Sequence, residues 1–198
     1  MDLKNKVVLI SGAGKGTGRS LAVALAAHGA FIAANDISPI NVEQVVVQIL
    51  ANGGKAKAYI EDVAKKVGVQ SLAKCVEDDL GGIDILINHA AVEPHTSLLD
   101  MDEWDWHRTL DVNLTGAFIM MQSVGRMMRA KGGGTILNIV TGSGEGLSEA
   151  GAYISSKAGL AALSHQANME FAQYGIRVYA VENSDNVINH VLSLLEVK

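Results

Sequence analysis

Tyr153 and Lys157 are the side chains with the clearest chemical potential, because they stand four residues apart in the run AYISSKAGLAAL. The small residues of this run favour a helix, and residues four apart lie on the same helical face. A free phenol has a pKa of about 10, so proton exchange near neutral pH needs roughly 4 kcal/mol of help from nearby positive charge. The Lys157 ammonium is one source of that charge. The pair predicts an acid/base centre for hydride transfer between an alcohol and a carbonyl group.

A glycine-rich segment near the amino terminus, SGAGKGTG, predicts a phosphate-binding loop. It follows the apolar run VVLI and precedes a helical stretch. Glycine permits a tight turn and lets the backbone approach a pyrophosphate, whose charge then lies at the helix amino terminus. No Lys-Ser or Lys-Thr pair follows the glycines, which argues against a phosphate-loop ATPase. We therefore expect Gly12, Lys15, Gly16, Thr17 and Gly18 to contact a dinucleotide cofactor.

Asp36 follows the second apolar run, about twenty residues beyond this loop. A carboxylate at this place accepts hydrogen bonds from the ribose hydroxyls of adenosine, and it would repel a 2′-phosphate. Asp36 therefore favours NAD as the cofactor. Lys15 would attract a phosphate, so NADP stays the alternative.

Six short runs rich in β-branched and aliphatic residues predict buried strands. These runs span residues 7–10, 31–35, 56–60, 83–88, 136–140 and 176–181. Helical periodicity occupies residues 17–28, 41–51, 67–80, 101–130 and 151–174. Because strands and helices alternate, and crossovers return each helix onto the sheet, we expect a three-layer, doubly wound parallel α/β fold. The whole chain, residues 1–198, is expected to form a single domain.

The composition is that of a compact globular protein, with 48% hydrophobic and 19% charged residues. A net charge of −5 with both signs dispersed argues against a nucleic-acid surface. The apolar segments are too short to cross a bilayer, and no spacing of His, Cys, Asp or Glu indicates a metal site. The lone Cys75 is expected to pack as a small apolar residue. These features predict a cytoplasmic protein that binds neither membranes nor nucleic acids.

The sequence resembles the short-chain dehydrogenase/reductase family from about residue 6 to 181. Besides the glycine loop and Asp36, the resemblance rests on Asp62-Val63, IDILINHAA at 83–91, EWDWHRTLDVNLTG at 103–116, GGTILNIVTGSG at 133–144, YISSK at 153–157 and YGIRVYAV at 174–181. It implies a Rossmann-type sheet in the order 3-2-1-4-5-6 and interconversion of a secondary alcohol and a ketone with NAD or NADP. It also implies a homodimer or homotetramer formed through helices 101–130 and 151–174.

The resemblance also implies roles for individual residues. Tyr153 would be the catalytic acid/base, and Lys157 its electrostatic partner, which also holds the nicotinamide ribose. Asn113 would position a water for proton relay. Further cofactor contacts, beside the adenine and after the fourth strand, are expected from Asp62, Val63, Asn88 and Ala90.

The serine that holds the substrate oxygen in the family has no direct counterpart here. Thr141 occupies that register in NIVTGSG, but the interval from Thr141 to Tyr153 is one residue shorter than usual. Ser143 is therefore the alternative, because glycines on both sides would permit a shifted backbone.

The carboxyl-terminal part departs most from the family. Relatives follow the sixth strand with a Pro-Gly turn, a substrate lid and a seventh strand, whereas this chain has the turn Glu182-Asn183-Ser184-Asp185 and then apolar residues at helical spacing. We expect a final amphipathic helix in place of the lid and the seventh strand. A second hypothesis follows, a catalytically weak or inactive nucleotide-binding regulatory or scaffold protein.

Overall fold

The computed structural model describes residues 2–141 and 148–196. Within these residues, six parallel strands form one sheet in the order 3-2-1-4-5-6, which confirms the expected Rossmann-type topology. The strands are β1 (Val7–Ser11), β2 (Phe31–Asp36), β3 (Lys55–Ile60), β4 (Ile85–Asn88), β5 (Gly134–Val140) and β6 (Ile176–Glu182).

In the part of the chain that the structure describes, seven α-helices cover the sheet. They are α1 (Gly16–Ala27), α2 (Pro39–Ala51), α3 (Lys66–Leu80), α4 (Glu103–Leu110), α5 (Ala117–Lys131), α6 (Gly151–Phe171) and α7 (Val187–Glu196). A π-helical turn, Asp111–Gly116, joins α4 to α5, and a 3₁₀ turn, Ala172–Tyr174, follows α6.

The core lies on both faces of the sheet. Every residue of β1 and of β4 is buried, because helices cover both faces of a parallel sheet, and such strands read as continuous apolar runs. One apolar cluster joins α3, α5 and α6 to the sheet, and the other joins α1, α2 and α7. Strand order reverses between β1 and β4, which opens a crevice at the carboxyl ends of the strands.

The helical segment predicted over residues 101–130 is present with slightly different bounds, and it contains a π-helical turn. The helical segment begins at Glu103, because the Asp102 carboxylate accepts a 2.7 Å hydrogen bond from the Asp105 amide and caps α4. It continues through the π turn into α5, with right-handed helical dihedral angles on both sides of the turn. It ends at Lys131, before Gly132 in the left-handed conformation.

The carboxyl-terminal segment follows the expectation. Residues Val187–Glu196 form α7, and the described residues contain no strand after β6. The outer edge of β6 is partly closed, because the Asn168 side-chain oxygen accepts a 3.0 Å hydrogen bond from the Val178 amide. Cys75, expected to be packed, is instead exposed on α3, whose inner face is occupied by other apolar residues.

Candidate active site

Three glycines at the junction of β1 and α1, Gly12, Gly16 and Gly18, differ in their surroundings. A Cβ on Gly12 would lie 2.7 Å from the Ala90 Cα, and a Cβ on Gly18 would collide with the Gly12 carbonyl oxygen. These two glycines allow segments of the protein to pack closely. A Cβ on Gly16 would meet nothing within 4 Å, and its φ of +50° favours glycine. Gly16 therefore faces open space.

The amino terminus of α1 is suited to an anion. Lys15 occupies the N-cap position without a side-chain cap hydrogen bond, so no side chain there occupies the amides of the first turn. Backbone amides at a helix amino terminus attract phosphate groups. The loop and the start of the helix therefore have features that suit the pyrophosphate of a dinucleotide, and the individual contacts stay predictions. Thr17, in this first turn, donates a hydrogen bond to Asn183 at 3.1 Å.

Asp36 is held in place at the end of β2. Its Oδ2 accepts a hydrogen bond from the Gly14 amide, and its Oδ1 accepts one from the Ser38 amide, both at 2.9 Å. The carboxylate lines a groove of about 370 Å³. Other predicted cofactor contacts on the walls of this groove are Gly12, Lys15, Asp62, Val63 and Ala90.

Asp62 has a partner that the sequence analysis missed. The Arg108 guanidinium lies 3.1 Å from Asp62 Oδ2 and donates a second, 3.5 Å hydrogen bond to Oδ1. Both side chains are about one quarter exposed, and Arg108 lines the same groove. The pair therefore fixes the carboxylate of an expected adenine contact. No spacing signal identified Arg108, because 46 residues separate it from Asp62.

Asn88, which was expected to contact the cofactor, lies beneath the groove and does not line it. Its side chain is buried, and its Nδ2 donates a 2.8 Å hydrogen bond to Asn138 Oδ1. Asn138 in turn donates to the Ser164 hydroxyl at 2.8 Å. This network ties β4 and β5 to α6. It leaves Ala90, two residues beyond Asn88, in the groove wall.

Tyr153 and Lys157 share one side of α6, with the Lys157 Nζ 5.7 Å from the centre of the Tyr153 ring. The lysine is only 2% exposed and donates a 2.8 Å hydrogen bond to the Ile139 carbonyl oxygen. Burial removes water from the Lys157 ammonium group and lowers the pKa of Lys157 to about 8. The charge of the Glu93 carboxylate acts in the opposite direction. At neutral pH the lysine is therefore mostly an ammonium group, and it lies at the carboxyl end of β5.

The expectation of a lowered phenol pKa is not met by the protein groups of this structure. Burial, followed by the negative charge of Glu93, raises the pKa of Tyr153 above its ordinary value. The Lys157 ammonium is directed at the Ile139 carbonyl, and it does not outweigh these effects. Tyr153 is therefore a protonated phenol at neutral pH.

Asn113 connects three segments through its side chain. Its Oδ1 accepts a 2.8 Å hydrogen bond from the Val92 amide, and its Nδ2 donates to the Val92 carbonyl at 2.9 Å and to the Ser156 hydroxyl at 3.0 Å. Ser156 donates to the Tyr153 carbonyl at 2.7 Å. Both ends of the carboxamide are thus engaged inside the protein, and the predicted role of Asn113 in positioning a water stays a prediction. The sequence analysis missed Ser156, although it lies between Tyr153 and Lys157 in YISSK.

The structure places one of the two candidate substrate-binding hydroxyls. Thr141 directly follows β5 and is partly buried, two residues beyond the carbonyl that Lys157 contacts. Ser143 lies outside the described residues. Thr141 therefore stays the candidate with a known location, at the edge of the sheet where Lys157 lies.

The described residues contain no cluster of three or more His, Cys, Asp or Glu side chains that would hold a metal ion. Among the described helices, none combines the length and apolarity needed to cross a bilayer.

Comparison with known proteins identifies the family. A family model described as short chain dehydrogenase matches residues 6–184. The chain belongs to the short-chain dehydrogenase family. It is 36% identical over 180 residues to D-threitol dehydrogenase of Mycolicibacterium smegmatis, a match that covers 90% of this chain and 69% of that enzyme. The family assignment confirms the resemblance found in the sequence.

Two solved structures are similar over nearly the whole chain. NAD⁺-bound xylitol dehydrogenase superposes with a TM-score of 0.88 at 30% identity, covering 98% of this chain and 77% of that chain. A metagenomic short-chain oxidoreductase in complex with NADP superposes with a TM-score of 0.90 at 28% identity, covering 98% of this chain and 91% of that chain. Members of the family with this fold therefore bind either dinucleotide.

Proposed function

We propose that the protein is an NAD-dependent oxidoreductase that interconverts a secondary alcohol and a ketone. The observation that carries this proposal is the placement of Tyr153 and Lys157 on one side of α6, with Lys157 hydrogen-bonded to the end of β5. The fold has its crevice at the same edge of the sheet. The names of the threitol and xylitol dehydrogenases support a small hydroxylated substrate.

The residues present fit a dinucleotide. The open space beside Gly16 and the uncapped start of α1 suit a pyrophosphate, and the fixed Asp36 carboxylate suits ribose hydroxyls. Lys157, with Tyr153, would bind the ribose of the nicotinamide half. When bound, the nicotinamide ring supplies or accepts the hydride. The Asp36 charge favours NAD, and NADP stays the alternative because Lys15 lines the same groove.

The protein groups then act on the oxygen of the substrate. In reduction, the protonated Tyr153 phenol gives its proton to the carbonyl oxygen as that oxygen gains negative charge. In oxidation, Tyr153 acts as the phenolate, which the Lys157 ammonium stabilises, and it becomes the phenol when it takes the proton of the alcohol. Thr141 would donate a hydrogen bond to the substrate oxygen, and Ser143 is the alternative. Asn113 keeps α6 and the segment after β4 in register.

The proposal also includes self-association through α5 and α6. An apolar groove of about 300 Å³ lies between these helices, and its lining includes Phe118, Met121, Leu163 and Phe171. Phe118 is 44% exposed, so covering this groove with a second copy would remove apolar surface from water. Light scattering coupled to size-exclusion chromatography would measure the stoichiometry. The cytoplasmic location and the single-domain organisation stay predictions.

The experiment that tests the function combines NADH binding with turnover. Fluorescence titration measures binding, and a panel of secondary alcohols and ketones, including threitol and xylitol, measures hydride transfer. Turnover that Tyr153→Phe abolishes, and that the control Tyr179→Phe on β6 preserves, supports the proposal. Binding without any Tyr153-dependent turnover supports the second hypothesis, a regulatory or scaffold protein. Absence of dinucleotide binding contradicts both.

A further inference from the structure

Glu93 lies in the segment after β4, and the proposed reaction gives its carboxylate no direct part. The residue before it, Val92, is held by the Asn113 side chain at its amide, at 2.8 Å, and at its carbonyl oxygen, at 2.9 Å. Asn113 also donates to the Ser156 hydroxyl, which donates to the Tyr153 carbonyl oxygen at 2.7 Å. A chain of hydrogen bonds therefore ties the backbone next to Glu93 to the first turn of α6.

The same segment is anchored again a few residues further along. The Thr96 amide donates a 2.9 Å hydrogen bond to the carbonyl oxygen of Glu149, which lies two residues before the start of α6. Glu93 thus lies between two anchored positions, Val92 and Thr96, and both are tied to the region where α6 begins. Because Tyr153 is in the first turn of that helix, this short span of chain forms a wall of the crevice beside the phenol.

The Glu93 carboxylate is near both groups of the acid/base pair and is open to a ligand. After burial, its charge is the second cause that raises the pKa of Tyr153, and it opposes the lowering of the Lys157 pKa by burial. Glu93 is exposed, and no cation within residues 2–141 and 148–196 forms an ion pair with it. Lys157, by contrast, is 2% exposed and directed at the Ile139 carbonyl oxygen. A group that enters the crevice therefore meets the carboxylate before it meets the ammonium.

We propose that Glu93 selects substrates by their charge, and that the preferred substrate is a secondary alcohol with an ammonium group on the neighbouring carbon. This inference rests on the proposed function, because it requires the alcohol oxygen to lie beside Tyr153. The ammonium group pairs with the Glu93 carboxylate, whereas a carboxylate in the same place is repelled. The reaction itself is unchanged. The carbinol carbon gives its hydride to the oxidised dinucleotide, the hydroxyl gives its proton to the Tyr153 phenolate, and the ammonium group keeps its protons.

Three alcohols that differ in one group test the inference by steady-state kinetics. 1-Amino-2-propanol, 1,2-propanediol and 3-hydroxybutyrate share a CH₃–CHOH–CH₂ unit, which carries an ammonium, a hydroxyl and a carboxylate group, respectively, at neutral pH. For the wild type, kcat/KM should fall in that order. Glu93→Gln should lower the ratio of kcat/KM for the amino alcohol to that for the hydroxy acid about 25-fold, about fivefold for each charged group. Added salt should reduce this ratio in the wild type, since the carboxylate is exposed.

Two more variants make the test specific to this carboxylate. Asp100→Asn removes an exposed carboxylate from the same segment and is the matched control, so it should keep the wild-type ratio. Glu93→Lys should reverse the preference, so that the hydroxy acid becomes a better substrate than the amino alcohol. Melting temperatures verify folding, and if one Glu93 variant does not fold, the other decides alone.

Each outcome decides the inference. If Glu93→Gln changes kcat/KM for all three alcohols by the same factor, Glu93 acts only through the pKa of Tyr153, and the inference is wrong. An unchanged ratio, or an equal change in Asp100→Asn, also overturns it. If the wild type oxidises none of the three, they are compared as competitive inhibitors of a substrate from the wider panel, and no inhibition by the amino alcohol overturns the inference. If nothing in that panel is turned over, the proposed function itself fails, which is a distinct result.

Discussion

Removing the charge of Asp36 should change the choice between the two dinucleotides. Asp36→Asn keeps a side chain of the same shape and one acceptor oxygen. In the wild type, the Gly14 and Ser38 amides hold both carboxylate oxygens, so the charge cannot rotate away from an incoming 2′-phosphate. Two unit charges 4 Å apart repel by about 1 kcal/mol in water and about 4 kcal/mol at an effective dielectric constant of 20. A partly exposed groove lies between these limits.

We take about 2 kcal/mol as the repulsion, which corresponds to about thirtyfold in Kd. NADP⁺ binding to Asp36→Asn should therefore tighten about thirtyfold. NAD⁺ binding should weaken about fivefold, because an ionised acceptor forms stronger hydrogen bonds to the ribose than an amide oxygen does. Calorimetric titration with both dinucleotides at low ionic strength measures the two changes. Added salt should reduce the NADP⁺ effect, since the groove is open to solvent.

Glu43→Gln provides the matched control, because it removes one negative charge from an exposed position on α2. This variant should bind both dinucleotides as the wild type does. If Glu43→Gln also improves NADP⁺ binding, the effect comes from net charge and not from Asp36. If Asp36→Asn folds and leaves the ratio of the two affinities unchanged, Asp36 does not face the adenosine ribose, and the reasoning is refuted.

Three further predictions concern other parts of the site. Tyr153→Phe should lower kcat about 10²- to 10⁴-fold and raise the Kd for NAD⁺ by no more than about tenfold, the loss of one hydrogen bond to the ribose, as measured by steady-state kinetics and calorimetry. A kcat above one tenth of the wild-type value would contradict the acid/base role. Arg108→Leu should lower the free energy of unfolding by about 1–3 kcal/mol, because it leaves the Asp62 carboxylate without its guanidinium partner. Urea unfolding measures this change. A variant as stable as the wild type would show that the ion pair does not contribute to stability. Burial lowers the pKa of His89 from 6.5 to about 4, so the unfolded chain binds a proton at this residue between pH 6.5 and 4 while the folded protein does not. Stability should accordingly fall by about 3 kcal/mol as the pH drops through that window, and His89→Asn should show a smaller loss in the same urea titrations; equal losses would mean that His89 is not the responsible group.

The sequence predicts the repeating architecture well, because each strand and each helix carries its own local signal. The apolar runs that become β1 and β4 are buried on both faces, and this burial is what makes them recognisable. The strand order came from the family resemblance. Periodicity alone does not specify it, since many orders of six parallel strands bury the same apolar faces.

The π turn between α4 and α5 could not be predicted from local signals. Residues 111–116 continue the helical pattern of their neighbours, yet they form a π turn. Asn113, within that turn, makes three hydrogen bonds to Val92 and Ser156, which are distant in sequence. Tertiary contacts of this kind override local helix propensity.

The residues of the candidate site also divide into those that local sequence signals predict and those that only the fold brings together. The glycine loop, Asp36 and the Tyr153–Lys157 pair could be proposed from the sequence, because residue type and spacing indicate the chemistry that they could perform. Arg108 was missed, since its function depends on a carboxylate 46 residues away. The glycines also proved unequal, because only the folded chain shows that Gly12 packs against Ala90 while Gly16 faces open space.

The electrostatics of the crevice indicate how the protein would work in each direction. Burial shifts His89, Tyr153 and Lys157 toward their neutral forms, which keeps the phenol protonated and His89 uncharged at neutral pH. The resting protein is therefore ready to give a proton, as reduction requires. Oxidation needs a phenolate, and the positive charge to form it must come from Lys157 together with the oxidised nicotinamide. Because the Glu93 charge opposes phenolate formation, oxidation should need a higher pH than reduction does.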